Sequence, residues 1–175
     1  MSAEAVQEGL RLSLAARLAL NADGILEQIA RDYGVSTLEV VRNLQEHCTV
    51  VDGKLFTDVM QDVTEWGDIL FIVHTSDIVL ECAGPLPPGT YGRGYYNVHG
   101  DSPIGGHIRA DNGQAIAFVS FMGHVSRSIQ FFNGAGEAMF KIFVRRDEAR
   151  VLIPAQIAKF DALRERCRGM ARGHN

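Results

Sequence analysis

The sequence predicts an α+β fold: a helical N-terminal region, then antiparallel β-sheets, then a C-terminal helix. Three observations carry that reading. Apolar residues recur near a 3.6-residue period from residue 3 to about residue 47. From about residue 50 the pattern changes to short apolar runs of strand length, separated by Asp-Gly and Asn-Gly turn signals. Like elements follow one another in runs rather than in alternation. That order excludes a doubly wound parallel sheet and calls for antiparallel pairing.

The first predicted helix carries Ala5, Val6, Leu10, Leu14 and Leu18 on one face, and the stretch Asn21 to Gly24 breaks it. A second carries Ile25, Leu26 and Ile29 and ends near Gly34. Ser36 and Glu39 form a capping-box pattern at the head of a third helix, which bears Leu38, Val41 and Leu44. Residues 23–44 therefore read as a helix-turn-helix with Gly34 in the turn. As a DNA reader the motif is poor. Its second helix offers Thr37, Glu39, Arg42 and Asn43, with a carboxylate in the first turn, where base edges and phosphates require cations and amides. Structural packing is favoured over a DNA-binding regulator.

The β region opens with Thr49 to Val51 and Lys54 to Thr57, flanking Asp52-Gly53 as a predicted hairpin. Two apolar runs, Asp68 to Thr75 and Ile78 to Ala83, are separated by Ser76-Asp77. A turn-rich stretch, GPLPPGTYGRG, leads to strands over Tyr95 to His99 and Gly106 to Ala110. Asp111-Asn112-Gly113 turns the chain into Ala115 to Met122. Ser128 to Phe132 and Ala138 to Val144 bracket Asn133-Gly134-Ala135-Gly136, residues that tolerate positive φ. Pro154 to Ala171 closes the chain as a helix with Ile157, Phe160, Leu163 and Cys167 on one face. One domain over 1–175 is expected, divided into a helical part (about 1–48), a β-rich part (about 49–148) and the helix at about 154–171.

Composition narrows the class. A chain of 175 residues with 46% hydrophobic and 22% charged content buries a core without staples. A formal net charge of -4 argues against a nucleic-acid footprint. Cys48, Cys82 and Cys167 have no zinc-binding spacing and suit a reducing, cytoplasmic setting. The apolar run Leu10 to Leu20 contains Arg11 and Arg17, which a secretory h-region excludes, and no run reaches the roughly 18 apolar residues of a membrane helix.

The segment richest in chemistry is 89–107, GTYGRGYYNVHGDSPIGGH, with three tyrosines, two histidines and an arginine among many glycines. Imidazole and phenol coordinate iron, and glycine lets a backbone approach a flat ligand. The glycines lie between predicted strands and match neither GxGxxG opening a helix nor a Walker loop, so nucleotide binding is disfavoured. His74 sits in an apolar strand, where a histidine serves as a hydrogen-bonded core residue or as a ligand. His99 and His107 flank a Pro-Gly turn, and Tyr91, Tyr95 and Tyr96 serve as sheet aromatics or as ligands. Arg127, Lys141, Arg145 and Arg146 surround the last hairpin as protective strand-end charges or as partners for an anionic ligand. No nucleophile motif is present, so enzyme chemistry is not visible.

These residues together resemble the HutX/ChuX family of intracellular haem-utilisation proteins. The matching stretches are LEVVRNL (38–44), EWGD with the following VHT (65–75), GYYNVHG (94–100), GGHI (105–108), FMG (121–123), SIQFFNGAGEAMFKIF (128–143) and RDE (146–148). The resemblance implies a cytoplasmic homodimer that binds haem, here haem b, carries it after import and hands it to a haem-accepting or haem-degrading partner. It also implies a subunit similar to one half of larger, internally duplicated haem proteins. His74 and His107 carry over as iron-ligand candidates, with Tyr95 as the aromatic of the GYYN stretch. His99 and Tyr96 stand next to them, with His99 at a position that the family does not fix. Arg93, Arg109, Arg127 and Lys141 are the cations available to two propionates. The leading expectation is a haem carrier. A haem-degrading enzyme using an external reductant and a DNA-binding regulator are the alternatives.

Overall fold

A computed structural model describes residues 12–121 and 126–173. Ala5, Val6 and Leu10 of the first predicted helix lie outside the described residues, as do Met122, His124 and His174. Its described part, α1 (Leu14–Leu20), starts where the Ser13 hydroxyl accepts the Ala16 N–H. The second and third helices follow as α2 (Leu26–Tyr33) and α3 (Thr37–Arg42). The Ser36 hydroxyl accepts the Glu39 N–H at 3.2 Å, forming the predicted cap. The start of α3 is docked rather than presented, because the Leu38 N–H donates to the Gly136 carbonyl in the last hairpin at 2.9 Å. Thr37, Val40 and Val41 are buried.

The first strand, β1 (Cys48–Asp52), does not continue into a hairpin as Asp52-Gly53 suggests. The Asp52 carboxylate accepts the Lys54 N–H at 2.8 Å, and a 3₁₀ turn over Gly53–Leu55 leads into a helix, α4 (Phe56–Val63). Phe56, Val59, Met60 and Val63 supply the reason. They are spaced at three and four residues and all four are buried, so a helical stripe overrides a two-residue turn signal.

The remaining strands are β2 (Asp68–His74), β3 (Val79–Pro85), β4 (Gly89–Gly92), β5 (Tyr95–Val98), β6 (Gly106–Ile108), β7 (Gly113–Phe121), β8 (Ser126–Asn133) and β9 (Ala138–Phe143), and α5 (Pro154–Arg172) follows. Part of the stretch read as turn-rich is thus the strand β4. Val98 and Ile108 end their strands earlier than expected, leaving His99 in a loop and Ala110–Asn112 in a 3₁₀ turn.

Six strands form an antiparallel sheet in the order β1-β7-β8-β9-β2-β3, and three form a second, β4-β5-β6. Strand alternation gives the large sheet two unlike faces. Ile69, Ile116, Phe118, Ile129, Phe131, Phe140 and Ile142 point one way, into a core with α4, α5 and Tyr96 and Val98 of the small sheet. Ala115, Ala117, Val119 and Phe132 point the other way, against α1, α2 and α3. Small alanines admit the helices closely, while the bulky face fills the space beneath α4 and α5. The buried Gln156 pins the start of α5, its Nε2 donating to the carbonyls of Trp66 (3.0 Å) and Asp68 (2.6 Å) and its Oε1 accepting the Arg145 N–H (2.9 Å).

Candidate functional site

The small sheet builds the site. Arg93 and Gly94 both have positive φ, 54° and 81°, which makes the β4–β5 link a two-residue hairpin turn of the primed kind. Alternation along β5 then sends Tyr96 and Val98 inward and leaves Tyr95 and Asn97 on the outer face. Tyr96 is 1% exposed and packs edge-on against Phe56 and Tyr91, with ring centroids 5.2 Å apart in each pair. Its hydroxyl lies against the Gly89 backbone without meeting hydrogen-bond geometry, and burial pushes the phenol above its usual range. Gly89 makes that approach possible, because a Cβ there would lie 2.1 Å from Tyr96 Cζ.

On the outer face, β6 pairs with β5 so that His107 sits opposite Asn97. His107 Nδ1 lies 2.6 Å from Asn97 Oδ1, and the His107 ring centroid is 5.8 Å from that of Tyr95. Arg109 donates from Nη2 to the Tyr95 hydroxyl at 2.9 Å, with its guanidinium carbon 4.6 Å from the ring centroid. Gly106, at φ 149°, holds a backbone conformation that other residues rarely adopt, just before the histidine. An imidazole, a phenol and a guanidinium therefore stand together on one face.

His107 borders two cavities and Arg109 the first of them, while Tyr95 stands behind them and lines neither. One, of about 520 Å³, lies between the large sheet and β6. Phe71, Val73, Met139 and Phe140 line one side of it, and Ile104, Ile108, His107 and Arg109 line the other. Its size falls within the roughly 300–1,000 Å³ of small-molecule sites. Ser102 shapes the wall, its hydroxyl donating to the Pro85 carbonyl at 2.6 Å while accepting the Ile104 N–H at 3.1 Å. The second, of about 550 Å³, is lined by Tyr91, Arg93, Asn97, His99 and His107. His107, Val98 and Gly105-Gly106 line both.

The structure brings together Tyr95, His107 and Arg109, with Arg93 and His99 around the second cavity. It does not bring His74 or Lys141 to them. Both point to the helix-covered face of the large sheet. Glu27 of α2 takes Lys141 Nζ on one carboxylate oxygen and faces His74 Nδ1 at 3.4 Å with the other. Burial raises the Glu27 carboxyl, but the charge and hydrogen bond of Lys141 outweigh it and hold the group below its usual range, with His74 adding to the pull. Arg127 lies on the core-side parity of β8, with Ile129 and Phe131, and lines neither cavity beside His107. Asn97 and Ser102 are site residues that sequence reasoning gave no role. Alternation from Tyr95 puts Asn97 on the same face, but its partner depends on a register set across a seven-residue loop.

Comparison with known proteins places this chain in a family. The model of the haem-utilisation ChuX/HutX family matches residues 49–163. The intracellular haem transport protein HutX of Vibrio cholerae is 34% identical over 166 residues, which cover 93% of this chain and 86% of HutX. A structure of the haem-binding protein ChuX is 43% identical with a TM-score of 0.81, covering 87% of this chain and 97% of ChuX. The Escherichia coli haem oxygenase ChuS shares the fold alone, at 10% identity and a TM-score of 0.72, and the match spans 49% of its length.

Proposed function

This chain belongs to the ChuX/HutX haem-utilisation family, and from that premise we propose that it is an intracellular carrier that binds haem b at the cavity bordered by His107. The observation that carries the reading is the pairing of an apolar slot with an iron donor at its edge. Phe71, Val73, Met139, Phe140, Ile104 and Ile108 suit a flat macrocycle. His107 and Tyr95 are nitrogen and oxygen donors of the kinds that hold haem iron. Arg109 on the same wall and Arg93 by the adjoining cavity are exposed cations for two propionates.

The carrier works as a homodimer in the cytoplasm and passes its haem to an accepting or degrading protein. Ile78, Val79 and Leu80, 52–57% exposed at the outer edge strand of the large sheet, support the dimer. A carrier is favoured over a haem-degrading enzyme because the relatives that cover most of this chain are a transport and a binding protein, and the oxygenase shares the fold alone.

Hemin titration followed by absorbance tests the proposal. One hemin per subunit and a shifted Soret band are expected, with His107→Ala and Tyr95→Phe changing the band and His47→Ala leaving it intact. Absorbance that tracks unbound hemin would overturn haem binding, and equal spectra for all variants would move the donor elsewhere. Multiple turnovers to one tetrapyrrole product, under catalase with a physiological reductant, would replace the carrier by an enzyme.

A further inference from the structure

Asn97 is anchored before it meets His107. Its Nδ2 donates to the Thr90 carbonyl at 3.1 Å and to the Gly92 carbonyl at 3.2 Å, both on the neighbouring strand β4, with the Tyr95 carbonyl at 3.4 Å. Backbone carbonyls accept and never donate, so these contacts decide which end of the amide is NH₂. The other end, Oδ1, is an acceptor, and it faces His107 Nδ1 at 2.6 Å. Two acceptors do not share a hydrogen bond, so in the neutral ring Nδ1 must carry the proton. Nε2 then keeps its lone pair.

From this chain of contacts we infer that Asn97 is a positioning residue, holding neutral His107 in the Nδ1–H tautomer so that Nε2 is the nitrogen offered to a ligand's metal. The inference rests on the haem reading for the identity of that ligand, but the tautomer itself does not. The same geometry extends from β4 to β6: the carbonyls of β4 orient the amide on β5, and the amide orients the imidazole on β6. Metal-ligating histidines characteristically donate their second ring N–H to such a fixed acceptor, which sets both tautomer and ring orientation. The contact also holds the ring in place on a face where His107 is otherwise exposed.

Long-range ¹H–¹⁵N correlation spectra of the full-length, ¹⁵N-histidine-labelled protein without hemin, at about pH 8.5 where an imidazole is neutral, read the tautomer directly. The wild-type His107 ring is expected to show a protonated Nδ1 and a bare Nε2. Asn97→Ala should lower the ratio of that tautomer to the other by roughly fivefold, the size of one net hydrogen bond. Asn97→Asp keeps an acceptor for Nδ1 but loses the anchor to the Thr90 and Gly92 carbonyls, so it should recover the ratio only in part, while His47 and His74 shifts stay fixed as controls for the fold. A wild-type His107 protonated on Nε2 overturns the inference whatever the variants do, and so does an unchanged ratio in Asn97→Ala.

Hemin titration supplies the second arm. Asn97→Ala should weaken binding about tenfold, Asn97→Asp less, and adding Asn97→Ala to His107→Ala should cost nothing further. An additive loss in that pair would show that Asn97 acts on the ligand by another route and would overturn the positioning role. Failure of the wild type to bind hemin would remove the haem reading while the tautomer spectra still decide the inference.

Discussion

Replacing Glu27 by Gln tests the buried charge cluster on the face of the sheet away from the cavity. The Lys141 side chain is 7% exposed and that of Glu27 13%, so the pair is shielded from water on both sides. Glu27→Gln leaves an ammonium buried without its counter-charge, a change that costs about 3–5 kcal/mol in comparable sites. The lower end applies, because the amide oxygen still accepts a hydrogen bond from Nζ. About 3 kcal/mol corresponds to a fall in melting temperature of roughly 6–12 °C for a chain of this size. Lys141→Met should cost a similar amount by stranding the carboxylate, and Glu27→Gln with Lys141→Met should recover most of it, since neither charge remains. The pH dependence has a definite sign. The Glu27 carboxyl is held below its ordinary 4.5, so its contribution is complete above that value and is lost as pH falls through the lower, folded value. Urea unfolding of the four proteins at about pH 7 and about pH 3 measures both effects. Single variants costing under about 1 kcal/mol, or a coupling that does not weaken in acid, would refute the account of Glu27 as the tie between α2 and β9. Because Lys141 is committed to Glu27, hemin binding by folded Lys141→Met should match the wild type.

Two further outcomes follow from packing. Gly89→Ala would drive a methyl to 2.1 Å from Tyr96 Cζ, and the repacking should cost about 1–3 kcal/mol, read as a lower urea midpoint. Burial raises the Cys167 thiol to about 11 and leaves the residue 0% exposed, whereas Cys82 is half-buried on the cavity wall. Iodoacetamide followed by mass spectrometry should label Cys82 well before Cys167, and bound hemin should slow the labelling of Cys82. Equal rates for the two thiols would contradict the burial of Cys167, and an unprotected Cys82 would place hemin elsewhere.

The periodic helices and the apolar strands were legible because each is written locally. Leu26 and Ile29, or Ile129 and Phe131, declare their faces by spacing alone. Lys54 to Thr57 reads as a hairpin strand because Asp-Gly is a strong local signal, while the helical stripe Phe56, Val59, Met60 and Val63 is decided by what lies beneath it. The face assignments of His74 and Lys141 were not legible either. Each follows strand parity, but which face is helix-covered depends on a strand order, β9 beside β2, that joins segments far apart in sequence. Tyr95 and His107 could be put on one face from sequence because their strands are neighbours in the chain, joined across the 99–105 loop, and pairing them needs no exact register. The role of Asn97 could not, since it needs both neighbouring strands in register at once.

The division between the two sheets bears on what a carrier must do. Apart from the cavity wall and the exposed edge strand β3, the large sheet is covered, with one face under helices and the other in the main core, and its Lys141 is spent on Glu27 of α2. The small sheet has three short strands, an outer face that water reaches, and its ligand-capable groups on that face. A donor held there by one hydrogen bond and one ring contact is placed accurately yet stays open to a competing donor from a partner, whereas a donor sunk into the large sheet would need the core to open before release. Transfer of haem needs the first arrangement. In the proposed site the apolar wall of Phe71, Val73, Met139 and Phe140 would add binding through burial to what the axial donor supplies. On the proposed site, loss of His107 should weaken hemin binding by at least the roughly tenfold expected of Asn97→Ala, with a changed spectrum for the hemin that the apolar wall still holds.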